Sequence, residues 1–88
     1  LMIFGRSDKH GIWMKDMKFP IDILWIKEGA VVHIEKNARP PAPETPDISL
    51  AVYQPAIDAD MILEIAAGFA DENGIRAGDP VQLIFTPI

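Results

Sequence analysis

Asp22-Ile23-Leu24-Trp25-Ile26-Lys27-Glu28-Gly29-Ala30-Val31-Val32-His33-Ile34-Glu35-Lys36 reads as two short strands joined by a tight turn. Ile, Val and Trp dominate both halves, and these residue types suit a pleated, half-buried surface. Lys27-Glu28-Gly29-Ala30 is the connection, although Glu-Gly is a weaker hairpin signal than Asn-Gly. With Glu28-Gly29 at the tip, Ile26 falls opposite Val31, Leu24 opposite His33 and Asp22 opposite Glu35. Trp25, Val32, Ile23 and Ile34 then form one wholly apolar side, which must be core. The other side is mixed and sets two carboxylates face to face. Like charges in that position destabilise a sheet, so a cation, a shared proton or a metal is expected beside them.

The same pattern continues outward. Ile12–Met17, Met61–Ile65 and Val81–Phe85 are further short apolar runs bounded by Gly, Pro, Asp or Asn. Pro20 cannot donate to a sheet ladder and marks a break before the hairpin. Pairing across Lys18-Phe19-Pro20-Ile21 would bring Lys15 near Leu24 and Trp13 near Ile26. Trp13, Lys15, Asp22, His33 and Glu35 would then share one face. Register is the weak point, because a one-residue slip moves a whole strand's side chains to the other face.

Arg39 to Pro55 carries Pro40, Pro41, Pro43, Pro46 and Pro55 and reads as an extended loop wrapping a sheet edge, with Ser49–Tyr53 able to pair briefly inside it. Ala66 to Asn73 reads as one short helix that packs through Phe69, with Gly74 as its C-terminal stop. Ile75 to Pro80 turns into the last run. Leu1-Met2-Ile3-Phe4 reads as the middle of a strand, so a preceding segment is expected. His10, at the start of a strand, reads as a surface turn residue, Trp25 and Phe85 as core, and Tyr53 as a loop anchor.

The 88 residues allow one small domain, spanning residues 1–88. Such a chain buries roughly 60–65% of its unfolded surface, an adequate core and no more. It has no cysteine, so disulfide staples, thiol nucleophiles and zinc–thiolate sites are excluded. A net charge of −5 argues against nucleic-acid partners. No apolar stretch reaches the roughly 20 residues of a membrane-spanning helix. Ser7 and Ser49 lack a nucleophile context, and Gly74-x-x-x-Gly78 lacks the Lys-Ser/Thr of a phosphate loop.

Several blocks resemble the DUF192 family. Ile12-Trp13-Met14-Lys15-Asp16-Met17 followed by Pro20-Ile21-Asp22-Ile23-Leu24-Trp25-Ile26 is similar to its FWMKNT…PLDILFI pattern. Val31-Val32-His33-Ile34 with Asn37-Ala38 resembles the next block. Ile62-Leu63-Glu64, Ala67-Gly68 and Gly74-Ile75-x-x-Gly78-Asp79 resemble the VLE-x-x-AG…GI-x-x-GD ending. The resemblance implies a compact, mainly β domain without an established biochemical role, often in exported proteins. It also implies an opening strand, helix and GLM-x-R segment, absent here, and a cysteine pair in the proline-rich loop, which this chain lacks. Asp16 stands where the family pattern has Asn.

These readings combine into a mainly β domain, a compact small sandwich or barrel of about six to eight short strands with one short helix. The expected function is a non-enzymatic accessory domain of the cell envelope that binds a small ligand or a protein. Trp13, Lys15, Asp22, His33 and Glu35 are its candidate ligand-binding residues: Trp13 a platform, the others orienting groups. A solvated ion-pair patch is the plainer reading of the same residues. Asp22, His33 and Glu35 could also hold a metal by residue type, but their spacing matches no metal motif, so no cofactor or metal is expected. The enzymatic alternative is a small hydrolase using Asp22, Glu35 and Lys15.

Overall fold

The computed structural model describes residues 1–13, 17–42, 52–55 and 57–82. The protein is mainly β, with one short helix among those residues. The strands are β1 (Met2–Asp8), β2 (Ile12–Trp13), β3 (Ile21–Lys27), β4 (Ala30–Ala38), β5 (Val52–Tyr53) and β6 (Ala59–Ala66), and the helix is α1 (Phe69–Glu72). An antiparallel four-stranded sheet has the order β1-β6-β3-β4, and β2 pairs with β5 in a separate ribbon. Among the described residues the sheet is open, with β1 and β4 at its edges, and does not close into a barrel.

β3 sits at the centre because it is apolar on both sides. Ile21, Ile23 and Trp25 point into one core with Ile12, Ala38, Ala59 and Ile62, against which Met2, Phe4 and Tyr53 pack. Leu24 and Ile26 point into a second core with Val31, flanked by Ile34, Met61, Leu63, Ile75 and Val81. A strand covered on both faces reads as a near-continuous apolar run, and Ile21 to Ile26 are all buried. The mixed, half-buried side expected for β3 is therefore a second interior.

The hairpin tip is where the sequence places it. Glu28 and Gly29 both have positive φ, 50° and 78°, the pattern of the type I′ turn whose twist suits two strands. Glu is a poor occupant of that conformation, which short polar side chains tolerate better. Glu28→Asn is expected to stabilise the domain by about 0.5 kcal/mol and raise the melting temperature by about 2–4 °C, measured by calorimetry.

Beyond the tip the register departs from simple counting. Ile26 pairs with Val31 as expected, but Trp25 then pairs with His33, Leu24 with Ile34 and Ile23 with Glu35. Val32 is the extra residue of a β-bulge, which leaves two residues opposite one and displaces everything after it by one place. A second irregularity brings Ala38 opposite Ile21. The pairing expected between β2 and β3 is also absent. β3 is flanked by β4 and β6, and Trp13 pairs with Val52.

The strand in Ser49–Tyr53 is present at Val52–Tyr53. Of the run at Val81–Phe85, Val81 and Gln82 are not in a strand, and the rest lies outside the described residues. So does most of the proline-rich loop. His10 does more than turn the chain: its ring stacks on Phe4 with centroids 3.7 Å apart, and its carbonyl accepts the Trp25 indole N–H at 2.8 Å.

The helix is shorter than its sequence signal, because Ala66 completes β6 and Gly68 turns the chain at φ 91°. It packs through buried Ala70, while Phe69 is exposed. It ends at Gly74 as expected. Ile75 N–H donates to the Ala70 carbonyl at 2.9 Å and Gly74 N–H to the Asp71 carbonyl at 3.2 Å, with Gly74 at φ 63°. These are the paired bonds of a Schellman stop, which favours a residue free of Cβ strain. Gly74→Ala is expected to cost about 1 kcal/mol, read from the urea midpoint.

Candidate functional site

Of the five residues singled out from the sequence, Asp22 does not share a face with His33 and Glu35. Pairing with Ile23 and Trp25 puts Glu35 and His33 on the Trp25 side of the sheet. The His33 ring meets the Trp25 ring edge-on, with centroids 5.3 Å apart. Asp22 alternates with Ile21 and Ile23 and belongs to the opposite side, with Leu24. The bulge at Val32 is the cause. It separates the two carboxylates that simple counting would have set face to face, which removes the repulsion instead of compensating it. Trp13 lies in β2 and Lys15 lies outside the described residues.

Asp22 has a structural role that accounts for its burial. Only 1% of it is exposed. One carboxylate oxygen accepts the Asn37 N–H at 2.9 Å and the other accepts the Ala70 N–H at 3.0 Å. Asn37 sits at the second irregularity of β4 with φ 53°. Ala70 lies in the first turn of α1, whose own N-cap, Gly68, has no side chain to offer. Helix starts leave N–H groups unsatisfied, and Asp22 supplies the missing acceptor from a neighbouring strand. Lys36 reinforces the joint with an exposed ion pair to Asp71 at 2.6 Å, a contact worth about 0–1 kcal/mol.

A concave site lies on the other side of β4. The segment Gly78–Val81 runs beside the hairpin, with Val31 N–H donating to Asp79 O, Gly78 N–H to Val31 O and Val81 N–H to Gly29 O. Ala30 and Pro80 face each other there. The segment then leaves β4 at a tight turn over Arg76–Asp79. Asp79 N–H donates to the Arg76 carbonyl, and the Asp79 carboxylate accepts the Arg76 N–H at 2.7 Å. Gly78, at φ 96°, occupies the third position, where a type II turn needs positive φ.

The divergence opens a groove of about 340 Å³ lined by Val32, Ile34, Lys36, Ile75, Arg76 and Ala77, with His33 at its side. Its lining is polar and apolar in equal measure, and its rim carries two cations. Arg76 is exposed, and among the described residues its guanidinium has no ion pair. Sequence reasoning missed this site. The available signal was the pair of glycines around Ile75-Arg76-Ala77, which marks two backbone reversals but does not show what lies opposite them.

Among the described residues no group of three His, Cys, Asp or Glu is placed to hold a metal ion. No helix among them is long and apolar enough to cross a membrane.

Two crystal structures are similar. One is of a protein described as a "putative transcription regulator" from Sinorhizobium meliloti 1021, 28% identical with a TM-score of 0.75 over 89% of this chain. The other is of a protein of unknown function from Novosphingobium aromaticivorans DSM 12444, 27% identical with a TM-score of 0.79 over 92% of this chain. The chain spans little more than half of each, 56% and 54%. No curated protein matches significantly. A family model described as "Uncharacterized ACR" matches residues 1–83, and on that match the chain belongs to the DUF192 family.

Proposed function

We propose that this domain is a non-enzymatic binding module and that its contact site is the groove between β4 and Ile75–Ala77. The observation that carries the reading is the groove itself. Its volume, about 340 Å³, falls within the usual range of ligand sites, and Val32, Ile34, Lys36 and Arg76 offer it both apolar and cationic groups. The hydrolase alternative loses its main support. A carboxylate pair must flank one reacting bond, whereas Asp22 and Glu35 lie on opposite sides of the sheet and Asp22 is engaged by two backbone N–H groups.

The same reading takes the β2–β5 ribbon as the second layer of a small sandwich. Ile12 and Tyr53 packing with Trp25 support it. Placement in the cell envelope rests on the family resemblance and is tested by fractionating cells that express the full-length protein. A net charge of −5 disfavours nucleic-acid binding by this domain.

The test is a titration of ¹⁵N-labelled protein with a panel of small acids, sugars, nucleotides, short peptides and divalent metals. At least one compound should shift the amides of Ile34, Lys36, Arg76 and Ala77 together and raise the melting temperature with concentration. A panel that moves only amides elsewhere would defeat the assignment of the groove.

A further inference from the structure

The groove is also an unfinished piece of β-sheet. Among the described residues β4 is the last strand of its sheet, so its outer edge offers backbone N–H and C=O groups. Gly78–Val81 satisfies that edge only at its start, ending with the Gly78 N–H on the Val31 carbonyl. From Val32 onward the neighbouring segment has turned away, and among the described residues β4 has no strand on that side. The space left, about 340 Å³, runs along Val32–Lys36.

The charges on the rim are not equivalent. Lys36 is shared with Asp71 at 2.6 Å. The Arg76 backbone N–H is held by Asp79 while its exposed guanidinium is unpaired among the described residues. A guanidinium offers a planar fork of donors that matches a carboxylate. On a chain of net charge −5, a groove with an unpaired guanidinium on its rim is a place that can admit an acidic side chain. By contrast, the exposed Leu1 and Ile3 on the β1 edge carry no charge that would select an occupant.

We infer that the groove receives an extended polypeptide strand that adds to the edge of β4 and sets an acidic side chain on Arg76. This rests on the binding-module reading and names the partner class. Main-chain pairing would supply the affinity and the alternate side chains the selectivity. The apolar walls, Val32, Ile34, Ile75 and Ala77, would take the residues flanking the carboxylate.

The experiment uses a blocked heptapeptide alternating threonine with glutamate, added to the ¹⁵N-labelled chain at low salt. Two control peptides replace every glutamate with glutamine or with lysine. The acidic peptide should shift the Ile34, Lys36, Arg76 and Ala77 amides and slow solvent exchange at Ile34. The glutamine peptide should bind about threefold more weakly, the size of one exposed ion pair, and the lysine peptide more weakly still. Arg76→Gln, which keeps the turn's backbone bonds, should abolish the preference for glutamate. An acidic peptide N-methylated at alternate amides should not bind. Equal binding of all three peptides, an unaltered preference in Arg76→Gln, or full binding of the N-methylated peptide would each overturn the inference. If no peptide binds while a small molecule from the wider panel shifts the same amides, the inference fails and the binding-module reading stands.

Discussion

Asp22→Ala is expected to remove about 3–5 kcal/mol of stability, the largest effect of any polar substitution in the domain. The substitution leaves the Asn37 and Ala70 N–H groups buried or half-buried with no acceptor, and each such orphan costs about 1–3 kcal/mol. A domain of this size has roughly 4–13 kcal/mol in all, so much of the margin is lost. Asp22→Asn keeps one acceptor oxygen and turns an amide N–H toward a donor. Its expected cost is smaller, about 2 kcal/mol. Urea unfolding followed by circular dichroism measures both. Hydrogen exchange adds a local signature: the Ala70 and Asn37 amides should lose protection before the centre of β3 does. A loss below 1 kcal/mol for Asp22→Ala would show that water replaces the carboxylate and that the joint between β3, β4 and α1 is not built as described.

Trp25→Ala is expected to cost about 3–5 kcal/mol, enough to leave a substantial unfolded population at 37 °C. The Trp25 side chain is fully buried against Ile23, Ile62 and the half-buried His33 ring. Its indole N–H holds the His10 carbonyl at 2.8 Å, which ties the segment between β1 and β2 to the core. Trp25→Phe separates the two contributions. It keeps an aromatic ring but removes the donor and some volume, for an expected cost of about 2 kcal/mol. The near-ultraviolet circular dichroism of Trp25→Phe and its urea midpoint check this. If Trp25→Phe matched the wild type, the His10 bond would contribute nothing net.

The part of the fold legible in the sequence was the part that local chemistry decides. The Glu28-Gly29 reversal, the stop at Gly74 and the apolar character of Ile23 and Trp25 each follow from a few neighbouring residues. The order of blocks was enough to recognise the family. Much of the proposed face was not legible. Extending the pairing across Pro20 sets Trp13 beside β3, yet β2 pairs with β5, more than thirty residues away in the chain. Asp22 had the right type for a ligand-binding carboxylate and the right type for a helix cap, and only the position of Ala70 decides between them.

From sequence alone came the hairpin, its tip, the end of the helix, the mainly β class and the family. Tertiary structure alone decided the register beyond Val31, the separation of Asp22 from His33 and Glu35, and the groove beside Arg76. The physical reason is the period of a strand. Side chains alternate sides with every residue, so one bulged Val32 reverses the assignment of His33, Ile34 and Glu35, until the second irregularity restores it at Ala38. Which registers are tolerated depends on how both faces pack at once, with Ile34 against Leu24 on one side and Ala38 beside Ile21 on the other. No window of sequence short enough to read by pattern contains both.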